Sequence, residues 1–60
     1  MREAEIHDYA RQLWDAHGIQ AVAEAAQKAV RFEQRGDEGQ AKTWRQIEAA
    51  LKLMRGPNAS

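Results

Sequence analysis

Arg35-Gly36-Asp37-Glu38-Gly39-Gln40 is the stretch that decides the fold. Gly36 suits the position just past a helix C-terminus, where the backbone turns left-handed. Asp37 followed by Gln40 matches an N-cap acid with an amide at N3, a variant of the capping box. One helix therefore stops and another starts within a few residues. A connection this short makes the flanking helices antiparallel neighbours with their apolar faces toward each other.

Working outward, the preceding helix is expected over residues 19–35 and is rich in alanine, the strongest helix former, at Ala21, Ala23, Ala25, Ala26 and Ala29. Its apolar stripe reads Ile19, Val22, Ala26, Ala29 and Val30, flanked by a second stripe of Ala25, Ala29 and Phe32. Side chains this small let another helix approach closely. Glu24 and Lys28 stand at i,i+4 in the favourable orientation for a surface pair. The following helix, residues 38–55, has the strongest amphipathic pattern, Trp44, Ile47, Leu51 and Met54, with Ala41 ahead and Ala50 and Leu53 on a flank. Lys52 and Arg55 complement its C-terminal dipole, Gly56 closes it and Pro57 prevents continuation.

Upstream, Ile6, Tyr9, Ala10, Leu13 and Trp14 recur at helical spacing over residues 2–17. Gly18 is expected to end that helix in the left-handed conformation, with His17 placed to bond the last free carbonyls. The fold class that follows is all-α: a small antiparallel bundle of three helices in one domain over residues 1–56, with residues 57–60 a frayed tail. Its expected core is Ile6, Ala10, Leu13, Val22, Ala26, Val30, Trp44, Ile47, Leu51 and Met54. The expected caps are Gly18, Gly36, Asp37, Gln40 and Gly56.

A chain of 60 residues buries only about 60% of the surface its unfolded form exposes, so its own core supplies marginal stability. Cys is absent, which removes disulfides and thiolate metal sites and leaves helix packing and self-association as supports. Trp14, Phe32, Ala50 and Leu53 exceed what one thin core absorbs and are the expected partner or dimer surface.

Met1-Arg2-Glu3-Ala4-Glu5 runs into charged helical sequence without the apolar segment of a secretory signal, and charges interrupt every apolar run short of a bilayer span. A cytoplasmic location without membrane attachment is expected. Nine Lys and Arg balance nine Asp and Glu, unlike the positive excess of nucleic-acid binders. The balance is uneven along the chain. Residues 1–25 hold two arginines against five carboxylates, a net −3, and residues 26–60 carry the compensating +3. Such an asymmetry fits ordinary solvated helix faces, and it can also orient one end of the molecule against the other within a monomer or across a dimer.

The chemistry-bearing residue types do not assemble into a catalytic motif. Thr43 and Ser60 are the only aliphatic hydroxyls, and neither neighbours a recognisable base. His7 and His17 lie almost three turns apart on one helix, and Glu3 with His7 supplies only two ligands at i,i+4 spacing. Glu3, Glu5, Asp8 and Asp15 lack the Glu-x-x-His arrangement of a bundle metal site. Gly36 and Gly39 match neither G-x-G-x-x-G nor the P-loop, and Asp37 and Glu38 would repel phosphate. No catalytic residue, cofactor or metal is expected. Arg31, Arg35, Lys42 and Arg45 cluster around the second turn as in a helix-turn-helix reader, but the would-be recognition helix begins with two acids, which disfavours nucleic acid.

Phe32-Glu33-Gln34-Arg35-Gly36-Asp37-Glu38-Gly39-Gln40-Ala41-Lys42-Thr43-Trp44 resembles the turn of a tetratricopeptide repeat. One hairpin falls short of the roughly three repeats a solenoid needs, so this likeness implies only a helical hairpin with a protein-binding surface. Across residues 6–54 the chain also resembles a family of short alphaproteobacterial helical proteins of uncharacterised function. The motifs carrying this second likeness are Tyr9-Ala10-Arg11-Gln12-Leu13, His17-Gly18, Gly36-Asp37-Glu38-Gly39-Gln40 and Trp44-Arg45-Gln46-Ile47-Glu48-Ala49-Ala50-Leu51. The chain departs from that pattern in a second helix poorer in large apolar residues. The resemblance implies a fold and no activity.

The functional expectation is a non-catalytic protein-interaction module, a homodimer that acts by docking on another protein. A small nucleic-acid-associated regulator and an accessory subunit of an enzyme are the alternatives.

Overall fold

The computed structural model describes residues 2–56, except for the side chain of Glu3. Within them the chain forms α1 (Glu3–His17), α2 (Gln20–Arg35) and α3 (Glu38–Arg55), without a strand. The frayed tail expected over residues 57–60 falls outside the described residues. The molecule is a small all-α bundle in which α3 is the central element. It packs mainly against α2, also against α1, while α1 and α2 scarcely touch.

The turn between α2 and α3 is built as its residues dictate. Gly36 adopts the left-handed conformation at φ 79° and ψ 13°. Its N–H donates to the carbonyl of Glu33 at 3.1 Å, and the Asp37 N–H donates to the carbonyl of Phe32 at 2.9 Å, the two bonds of a Schellman closure. Asp37 Oδ1 then accepts the backbone N–H of Gln40 at 3.2 Å and caps α3. Only this half of the expected capping box forms, because the Asp37 N–H that the Gln40 side chain would have held is already spent on α2.

Gly18 and Gly56 also have positive φ but do not close their helices in the left-handed well. Gly18 lies at φ 63°, ψ −140° and Gly56 at φ 98°, ψ 144°. At Gly18 the chain must redirect into α2 at once. The first turn of α2 is tightened by bonds from Ala21 N–H to the Gly18 carbonyl and from Val22 N–H to the Ile19 carbonyl, at 3.0 and 3.2 Å. Among the described residues no side chain caps α2. His17 does not bond the last carbonyls of α1; its Nδ1 lies 3.6 Å from Glu24 Oε2, across the joint. At the start of α1, the Arg2 N–H donates to Glu5 Oε2 at 3.4 Å, and the Arg2 side chain, having no acceptor, supplies no reciprocal cap.

The core is made largely of alanine. Among the described residues those buried are Ile6, Ala10, Ala21, Ala25, Ala29, Ala41, Ile47, Ala50 and Leu51, of which only Ile47 and Leu51 are large and fully enclosed. Leu13, Trp14, Val22, Trp44 and Met54 are half-buried around it. Four residues lie elsewhere than their spacing predicts. The inward stripe of α2 is Ala21, Ala25 and Ala29, at i, i+4 and i+8, so Val30, one residue further round the helix, is 40% exposed and not core. Ala26 is half-buried and Ile19 exposed for the same reason. Ala50, expected at a partner surface, is buried against the neighbouring helices. On α2 the alanine stripe lets the neighbouring helix come close and make many dispersion contacts, which leaves the branched Val30 outside.

Candidate docking surface

One face of the hairpin combines aromatic rings with cations that form no ion pair among the described residues. Lys28, Phe32 and Arg35 follow each other at i, i+4 and i+7 on α2, with Arg31 beside them, and Trp44 faces them from α3. These five residues line a depression of about 200 Å³. Lys28 Nζ stands 4.8 Å from the Trp44 ring centroid and the Arg35 guanidinium carbon 5.9 Å from that of Phe32, so both cations lie over ring faces that attract them. Tyr9 of α1 meets the Trp44 ring edge-on, with centroids 5.8 Å apart and planes at 73°, which fixes the indole at the rim of the depression. The expected Glu24–Lys28 pair does not form: Glu24 turns to His17, and Lys28 is taken by Trp44.

The basic cluster expected around the second turn is split by the packing. Arg31 and Arg35 belong to the aromatic depression, whereas Lys42 and Arg45 line another, together with Glu33, Gly36, Glu38 and Ala41. Arg45 is neutralised there. Its Nε and one terminal nitrogen both reach the Glu33 carboxylate at 3.2 Å, and the other terminal nitrogen reaches Glu48 Oε1 at 3.1 Å. Lys52 Nζ holds the second Glu48 oxygen at 3.3 Å. Hydrogen bonds that Arg45 donates to Glu33 first, then to Glu48, hold its guanidinium above its ordinary range. The fork joins α2 to α3, but its ends are exposed, so its main effect is on helix register.

Of the four residues expected at a partner surface, Phe32 lines the depression, Trp14 is half-buried against the core, Ala50 is inside and Leu53 is 71% exposed. Leu53 and Ile19, the latter 62% exposed, share the end of the antiparallel α2–α3 hairpin opposite its turn. Lys28 and Trp44, expected respectively in a surface pair with Glu24 and in the core, meet instead at this depression. Their signal lay in the i, i+4, i+7 recurrence of Lys28, Phe32 and Arg35, which breaks the polar face of α2 with a ring between two cations.

Compared with family models, curated proteins and solved structures, the chain matches none. Among the described residues no group of three or more His, Cys, Asp or Glu side chains is placed to hold a metal ion. The Glu3–His7 pair involves a side chain outside the described set. Thr43 donates its hydroxyl to the Gly39 carbonyl at 3.1 Å. No described helix is long and apolar enough to cross a membrane.

Proposed function

We propose that this chain is a non-catalytic protein-interaction module that docks through the depression between α2 and α3 and associates with itself as a homodimer. The observation that carries this reading is the grouping of Lys28, Arg31 and Arg35, none in an ion pair among the described residues, around the half-buried rings of Phe32 and Trp44. Aromatic and arginine side chains in a desolvatable depression are the usual anchors of protein interfaces. The occupant they fit is acidic and carries apolar surface. A cytoplasmic setting accompanies this reading, supported by the Cys-free composition.

The nucleic-acid reading loses support from Arg45, one of its four cations, being consumed by Glu33 and Glu48. Fluorescence anisotropy separates the two. A labelled acidic peptide containing Phe is expected to bind the wild type and to lose that binding in Lys28→Glu/Arg35→Glu. Tighter, salt-sensitive binding of a labelled single-stranded oligonucleotide than of the peptide would sink the protein-docking reading.

A further inference from the structure

We infer that the occupant of the Lys28–Arg31–Phe32–Arg35–Trp44 depression is the acidic face of α1 from a second copy of this chain, each copy docking its α1 into the other; this rests on the docking reading above. Glu5, Asp8, Gln12 and Asp15 fall at i, i+3, i+7 and i+10 on α1, forming one solvent-facing stripe. That stripe lies opposite the edge that carries Ile6 and Ala10 into the core.

Two of its acids, Asp8 and Asp15, are seven residues apart, as are Lys28 and Arg35 of α2. Two helical turns separate each pair, about 10.5 Å along the axis. An antiparallel α1 laid along α2 therefore brings Asp8 to Arg35 and Asp15 to Lys28 together, with Gln12 opposite Arg31. Among the described residues none of these acids or cations forms an ion pair within its own chain. The stripe holds three of the five carboxylates of residues 1–25, and the depression three of the seven Lys and Arg of residues 26–60, so the two surfaces are complementary in charge. Reciprocal docking about a two-fold axis satisfies both at once and closes the assembly at two copies. Tyr9, 37% exposed beside Trp44, contributes apolar surface at the margin.

Charge reversal followed by mixing tests this, read by native mass spectrometry and size exclusion. Asp8→Lys/Asp15→Lys and Lys28→Glu/Arg35→Glu, each helical by circular dichroism, are expected to dimerise about tenfold more weakly than the wild type or worse, and their equimolar mixture to form a one-to-one pair. The wild-type dimer is expected to weaken as salt rises from about 0.1 M to 1 M, where screening shortens from about 10 Å to 3 Å. Either variant dimerising like the wild type, or a mixture that stays monomeric, overturns the inference. Asp8→Lys/Asp15→Lys changes only exposed α1 positions and leaves the depression intact. If it binds the acidic probe peptide yet never pairs with the second variant, the second-copy occupant is overturned and the docking reading survives. If it also fails to bind the peptide, both fall.

Discussion

Gly36 and Gly39 stand three residues apart and should respond oppositely to one added methyl group. At Gly36 a Cβ would meet nothing within 4 Å, so the surroundings raise no objection, but φ is 79° and an L residue in that well costs about 1 kcal/mol. Gly39 sits in the first turn of α3, where a Cβ would make an ordinary 3.8 Å contact with Asp37 Oδ1. Gly36→Ala is therefore expected to lower stability by about 1 kcal/mol, and Gly39→Ala to raise it by about 0.5 kcal/mol through reduced unfolded-state freedom. Urea unfolding checks the pair, and equal effects would contradict the turn geometry. Asp37→Ala removes the one side-chain cap on α3 and should lower stability by about 0.5 to 2 kcal/mol. An unchanged melting temperature would refute the cap. These positions were legible in the sequence because turn chemistry is local: glycine, acid and amide in that order admit few backbone solutions. What was not legible was the fate of the Asp37 N–H, since competition between a Schellman bond and a Gln40 bond is settled only once the helix ends are placed.

At the scale of the element, the alanine stripe of α2 makes a sharp claim about helix approach. Ala25 is fully buried between helices, while Ala23 on the same helix is exposed. Ala25→Leu forces extra methylenes into a filled contact and should cost about 1 to 3 kcal/mol, enough to unfold much of so small a chain. Ala23→Leu should stay within about 0.5 kcal/mol of wild type. Thermal unfolding followed at 222 nm tests both, and comparable losses at the two sites would contradict the assigned face. The extents of the helices could be read from periodicity and stop signals to within a residue or two, and the inward face of α3 followed from Ile47 and Leu51. The face of α2 could not be read the same way. Valine outranks alanine in hydrophobicity, so the pattern favours Val22 and Val30, whereas the structure buries Ala21, Ala25 and Ala29 because they allow α3 to come close.

Across the whole molecule, the balance of a small core against a charged surface governs behaviour. Among the described residues only Ile47 and Leu51 are large and fully buried, each contributing about 1.5 to 3 kcal/mol of transfer free energy. Such a chain gains from any partner that binds its folded form, because association adds to stability in proportion to the logarithm of concentration over Kd. The candidate docking surface was only partly visible beforehand. The charge asymmetry and Phe32 were apparent, but the meeting of Lys28 with Trp44, sixteen residues away in the chain, depends on the hairpin register, and the loss of Arg45 to Glu33 depends on it too. Sedimentation equilibrium of the wild-type chain at tens of micromolar and low salt tests the proposed self-associating module most directly. Reciprocal docking predicts a mass of twice 6.8 kDa that falls toward the single-chain value on dilution or added salt. A single-chain mass throughout that range would contradict it.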